Sequence, residues 1–163
     1  MQNKREESIK KLNELIRDVR IAMLTTMDWG VLRSRPMATQ EAEFDGDLWF
    51  MTSSDTHKTD EIAKDRRVNV SYAAPDSNTY VSVSGTAEIV NDRKKIEDLW
   101  SPIYKAWFPK GLDDPTIRLL KVTVEQAEYW DSASSTLVQV AGFVKALVTG
   151  QQADGGDHGK VNL

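Results

Sequence analysis

Apolar and small polar side chains alternate without a break in TYVSVSGTAEIV, residues 79–90. Only an extended chain with one buried face gives such a segment a consistent inside and outside. The same period recurs in RIAMLTTM and VNVSYAAP, and IRLLKVTVEQAEYWD mixes alternation with a buried run, so it reads as one long strand. DWG marks a turn into VLRSRPMATQ, and EFDGDLWFMTS carries an Asp-Gly hairpin signal between strand-like runs, so residues 21–53 are expected to form a three-strand meander. Helical spacing is confined to short stretches. From Lys4 to Asp18 the apolar residues Ile9, Leu12, Leu15, Ile16 and Val19 recur at three and four. A short helix follows in SDTHKTDEIAKDRR, with Thr56 or Asp55 as its N-cap, and Asp92 opens a longer one through DRKKIEDLWSPIYKAWF. Leu137, Val140, Val144, Leu147 and Val148 predict a last helix ending on Gly150. About six antiparallel strands punctuated by helices favour a small β-barrel over a parallel α/β sheet.

The chain has 163 residues, enough for one domain with a real core, and it is expected to be a single domain over 1–150 with a polar tail at 151–163. A formal charge of −4 supplies no broad basic field, which speaks against nucleic acid as a partner. No run of about 18 apolar residues is present to span a bilayer, so no membrane partner is expected. The start, MQNKREESIKK, lacks the apolar core of a secretion signal, and a cytoplasmic location follows as the expectation. With no cysteine and only His57 and His158 as imidazoles, disulfides, thiolate nucleophiles and Cys-based metal sites are excluded and no metal site is expected.

VLRSRPMATQ places Val31, Arg33, Arg35 and Met37 on one strand face and Leu32, Ser34, Pro36 and Ala38 on the other. Pro36 cannot donate to a ladder and belongs on an edge strand or at a bulge. Most arginines simply face water. A second cluster, MTSSDTHK, raises an alternative, because Thr52, Ser53, His57 and Lys58 gather hydroxyls, an imidazole and an ammonium at a helix start. Helix N-termini favour anions, so this cluster can be a phosphate site as well as an ordinary cap. If the Asp-Gly hairpin makes the two segments neighbours, both clusters converge on one anion. Trp100 and Trp107, seven residues apart, suit a helical core stripe, and Trp130 in EYWDS suits a barrel plug or a wall for a planar ligand. GLDDP reads as a turn with a cap, and no Ser-His-Asp arrangement can be picked out, so hydrolytic chemistry has no support.

Taken in order, RSRPM, DGDLWFMTS, HK at a helix start, YVSVSGTAEIV, LWSPIYKAWFPKGLDDP and EYWD resemble the general stress protein 26 branch of the pyridoxamine 5′-phosphate oxidase-like superfamily, over roughly residues 5 to 150. The resemblance implies a mainly β fold, a six-stranded antiparallel split barrel with peripheral helices, a homodimer, and FMN in a cleft between subunits. It implies that Arg35 holds the phosphate, that Pro36 and Met37 lie along the isoalloxazine ring, and that Met51 and Thr52 sit against the flavin. Ser53, His57 and Lys58 then fall on the loop and helix start that hold the phosphate, where the oxidase itself more often has Arg-Lys. Trp130 matches the oxidase tryptophan near the flavin, and Trp107 an aromatic that the stress-protein branch adds, acting in some arrangements from the partner subunit.

One departure shapes the functional expectation. After Trp130 the chain continues DSASSTLVQVAGF, without the arginine- and histidine-bearing tail by which the oxidase grips its substrate. A substrate phosphate needs its own cationic cradle, because burying it unpaired is costly. The expectation is an FMN-binding oxidoreductase linked to stress response, exchanging electrons with a small-molecule donor or acceptor, and not a vitamin B6 oxidase. No catalytic residue is assigned. A non-catalytic flavin-binding or flavin-sensing module is the alternative. A deazaflavin or heme in the same cleft is a third reading, heme being disfavoured by the shortage of histidines.

Overall fold

The computed structural model of the chain describes residues 2–41, 43–132, 145, 147–150 and 157–163. Helix α1 (Gln2–Ile16) leads into β1 (Ile21–Asp28), β2 (Val31–Ala38), β3 (Asp47–Ser53), α2 (His57–Lys64), β4 (Arg67–Ala74) and β5 (Thr79–Val90). Helix α3 (Arg93–Leu99), β6 (Ile117–Asp131) and β7 (Asp157–Asn162) follow. The strands form one antiparallel sheet in the order β2-β1-β4-β5-β6-β3, with β7 also paired to β6. The fold is mainly β, a sheet curled into an open half-barrel, with helices at its periphery. Among the described residues no helix is long and apolar enough to cross a membrane.

Strand alternation translates directly into burial. Ala22, Leu24 and Thr26 of β1, Val68, Val70 and Tyr72 of β4, and Val81 and Val83 of β5 face inward, where Leu12 and Ile16 of α1 close the barrel over Phe50 and Leu120. Trp29 and Gly30, both at positive φ, make the tight β1–β2 turn that DWG signals.

The meander expected over 21–53 does not form. β3 pairs along its whole length with β6, and among the described residues β2 pairs with β1 alone, so the Asp-Gly signal marks a loop and not a hairpin. The reason lies at Thr39 and Phe44, which are tied to α1 and the residues just after it: Thr39 Oγ1 donates to the Val19 carbonyl at 2.6 Å, and the amide of buried Phe44 donates to Asn13 Oδ1 at 3.1 Å. The chain is thereby carried across the barrel opening. β2 and β3 become the two ends of the sheet path, which suits Pro36, since an edge strand has no second ladder to lose.

The helix expected from Asp92 to Phe108 stops at Leu99. Asp92 does cap it, accepting from the Lys95 amide at 3.1 Å, but Pro102 opens a separate 3₁₀ turn, Pro102–Ala106. Trp100 and Trp107 therefore do not form one helical stripe. Trp100 packs against Tyr104 and Phe108, whereas Trp107 is 61% exposed.

Strand β7 occupies the segment expected to be only a polar tail. DHGKVN offers little apolar alternation, and its register is set by contacts that sequence does not announce. A Cβ at Gly159 would lie 2.7 Å from the Tyr129 hydroxyl, so any larger residue would displace the ring from its present seat. Beside it His158 stacks on Trp130 at 5.3 Å and 10° and meets Glu128 Oε1 at 2.8 Å. The expected helix over Leu137 to Val148 lies largely outside the described residues.

Candidate functional site

The two sheet ends flank a cleft of about 440 Å³, the size class of a cofactor site. Pro36, Met37 and Ala38 of β2 line one side, and Met51, Thr52 and Ser53 of β3 the other. Tyr104, Trp107 and Phe108 contribute an aromatic wall, because Pro102 turns the chain out of α3 and over the opening. The start of α2 closes one end with Thr56 and Lys58.

The lining has two features that a bare surface does not explain. Thr52 is 3% exposed and its hydroxyl has no hydrogen-bond partner, although buried hydroxyls normally find one. Lys58 has no carboxylate within 4.0 Å among the described residues, and its ammonium pKa is held below the ordinary lysine value by burial and by the nearby Arg35 guanidinium. A buried hydroxyl without a partner and a half-buried ammonium with no carboxylate in contact, at a helix N-terminus, together suit an anionic, hydrogen-bonding ligand. The Ser53 hydroxyl, by contrast, is already engaged by the Asp55 carboxylate.

Behind this end lies a buried ionic cluster. Glu61 of α2 is 4% exposed, one turn beyond Lys58 on the same helix face. Its Oε2 accepts from Arg35 Nη2 at 2.7 Å and from Thr26 Oγ1 at 2.5 Å, and its Oε1 accepts from Arg33 Nη1 at 3.1 Å. Arg35 Nη1 also donates to Thr26 Oγ1 at 2.8 Å, and Arg33 reaches Asp28 at 3.2 Å. Burial opposes ionisation of Glu61, but the Thr26 and Arg35 hydrogen bonds and the two guanidinium charges outweigh it and hold the carboxyl below its ordinary range. The expectation that the arginine strand shares one cationic face is met, since Arg33 and Arg35 both reach the same carboxylate.

Of the residues singled out in the sequence, Pro36, Met37, Met51, Thr52, Ser53, Lys58 and Trp107 come together around the cleft. Arg35 stands behind the wall, bonded to Glu61, and the exposed His57 does not line the cleft. Trp130 is elsewhere within the chain, on the outer sheet face against His158. Glu61 and Thr26 escaped the sequence reading. The available signal was a carboxylate beside the inward-facing Ile62, on a helix whose strand neighbours carry two arginines.

Residues 7–154 match the model of the family described as pyridoxamine 5′-phosphate oxidase like. The Neurospora crassa protein bli-3 is 32% identical over 159 residues, covering 91% of this chain and 76% of its own. A general stress protein 26 from Jannaschia sp. CCS1 superposes with a TM-score of 0.77 at 25% identity, over 98% of this chain and 99% of the other. The general stress FMN/FAD binding protein of Xanthomonas citri gives 0.66 at 27% identity, over 83% and 93%. Half-barrel, cleft and sequence agree, and the chain belongs to the pyridoxamine 5′-phosphate oxidase-like family.

Proposed function

We propose that the chain is a cytoplasmic FMN-binding flavoprotein of the oxidoreductase class, linked to stress response, working as a homodimer. The observation that carries this reading is the cleft itself, with apolar and aromatic side walls and, at one end, the Lys58 ammonium beside a buried hydroxyl without a partner. A planar ring carrying a terminal phosphate has that polarity. Lys58 and the free amides of α2 would hold the phosphate, Thr52 would offer its hydroxyl, and Pro36, Met37 and Met51 would border the ring opposite Trp107. Bound there, the flavin supplies the electron-transfer chemistry, while the chain binds, orients and shields it. Among the described residues Lys58 is the one cation lining the cleft, whereas a second, substrate phosphate would need a cradle of its own, so the proposed function does not extend to vitamin B6 oxidase activity. The absorbance spectrum of the purified protein, followed by anaerobic reduction with NADH or NADPH, tests the assignment. A bound flavin that no donor reduces would favour the non-catalytic, sensing reading.

Lys58→Ala is expected to weaken FMN about ten- to a hundredfold, as loss of one charge-assisted contact of roughly 1.5 to 3 kcal/mol implies, and to leave riboflavin nearly unchanged. Because the Lys58 ammonium loses its proton below the ordinary 10.5, FMN affinity should fall on the alkaline side sooner than a solvated lysine would dictate. Binding measured for both flavins across pH checks this, since the quotient removes any titration of the shared ring. A quotient flat with pH would remove Lys58 from the phosphate.

The outer sheet face supports the dimer. Ile21 (52% exposed), Met23 (40%), Tyr80 (41%) and Trp130 (41%) all point from it, Tyr80 being paired with Trp130 across β5–β6. Ile21 also lines the cleft, so a second copy covering this face would bring its Trp130 toward the ligand. Patches of this kind mark interfaces, and closed two-fold pairing is the commonest solution. Light scattering is expected to report twice 18.4 kDa, and Trp130→Arg to shift the mass to 18.4 kDa with loss of flavin. A wild-type monomer that retains flavin would contradict the dimer.

A further inference from the structure

Glu61 does not line the cleft, yet it is bonded to the arginine nearest to Lys58. Arg33, Arg35 and Lys58 gather at this end of the cleft, where Glu61 and Asp28 pair with the two arginines and Asp55 is engaged with the cleft-lining Ser53. Glu61 neutralises the member best placed to assist Lys58. Arg35 spends an N–H on Glu61 Oε2 and another on Thr26 Oγ1, and Thr26 in turn donates to the same oxygen, so hydroxyl, guanidinium and carboxylate form a closed triangle. Arg35 is nevertheless close enough to Lys58 to depress its ammonium, so the two cations share one local field.

We propose that Glu61 is a built-in counter-anion that competes with an incoming phosphate for Arg35, and so sets how strongly the cleft prefers a phosphorylated flavin over one without phosphate. The proposal rests on the flavin reading of the cleft and goes beyond it by assigning specificity to a residue that does not line the cleft. Two consequences follow from charge alone. Removing the negative charge while keeping the shape strengthens the field on a phosphate and leaves the ring site untouched. The same change deprives two arginines of their partner and weakens the fold. Better selectivity with poorer stability is the opposite of what a merely structural residue gives, because loosening of the fold would weaken both flavins together.

The test uses the full chain freed of flavin. Dissociation constants for FMN and riboflavin are measured by flavin fluorescence at one ionic strength for wild type and Glu61→Gln. The expected result is a riboflavin constant within about twofold of wild type and a riboflavin-to-FMN quotient raised about tenfold. Inorganic phosphate should also raise the melting temperature of Glu61→Gln more than that of wild type, since it supplies the missing anion. A folded Glu61→Gln with an unchanged or lowered quotient, in a protein whose wild type prefers FMN, overturns the role of Glu61 alone. A wild-type quotient near one overturns the phosphate reading and this proposal with it. Should Glu61→Gln not fold, Glu61→Asp keeps the charge but shortens the side chain by one methylene, so that the carboxylate is drawn back from Arg35. A rise of a few-fold is expected from it, and an unchanged quotient there overturns the proposal equally.

Discussion

Arg35→Ala is expected to destabilise the protein by about 3–5 kcal/mol at neutral pH, the range for breaking a buried ion pair from one side. The effect arises less from the lost contact than from what stays behind. Glu61, 4% exposed, would keep only Arg33, whose side chain is half exposed, and the Thr26 hydroxyl. The pH dependence identifies the cause. In wild type the folded Glu61 carboxyl titrates below its ordinary 4.5, so its contribution is complete above that value and is lost as pH falls through the lower, folded one. In Arg35→Ala burial acts with less opposition, and the folded carboxyl moves the other way, so mild acid relieves the variant before it harms the wild type. Urea unfolding between neutrality and pH 4 should show the gap narrowing on acidification. A gap independent of pH would mean that Glu61 does not carry the penalty.

Gly85→Ala is the second large effect, expected at about 3 kcal/mol, the upper range for forcing atoms into filled space. Gly85 sits where the pairing of β5 with β6 slips by a residue, and an added Cβ would stand 2.1 Å from the Thr123 carbonyl oxygen and 3.0 Å from its carbon. The obstacle is backbone in the two longest strands, and backbone cannot swing aside as a side chain can. For a domain of this size the melting temperature should fall by roughly 6–12 °C. Gly30 is the internal control for space, because nothing lies within 4 Å of the Cβ position there and its demand is conformational, at φ +82°. A Gly85→Ala protein melting with wild type would show that the bulge relaxes freely.

Strand periodicity made most of the sheet legible, because a half-buried strand must alternate, and β5 and β6 run over the segments the pattern marks. Which strand pairs with which was not legible. The hairpin signal at Asp45-Gly46 concerns a few dihedrals, whereas the partner of β3 is decided by Thr39 and Phe44 being tied near α1. The same limit explains the site. Residues facing the cleft from edge strands and the α2 start could be named, since Pro36 and the helix N-terminus carry local signatures. The destination of Arg35 could not, because its partner Glu61 is distant in sequence and arrives only when α2 packs on β1. Trp107 and Trp130 share a residue type but not a setting: the Pro102 turn brings the first to the cleft, while β7 brings His158 to the second.

A crystal structure of the full chain grown with FMN tests the central claim most directly. The isoalloxazine ring is expected between β2 and β3, bordered by Pro36, Met37 and Trp107, with phosphate oxygens within hydrogen-bond distance of Lys58 Nζ and the first amides of α2. Trp130 of the partner subunit is expected to approach the ring. A flavin bound elsewhere on the molecule, or one lying in the cleft with its phosphate turned away from α2 into solvent, would contradict it.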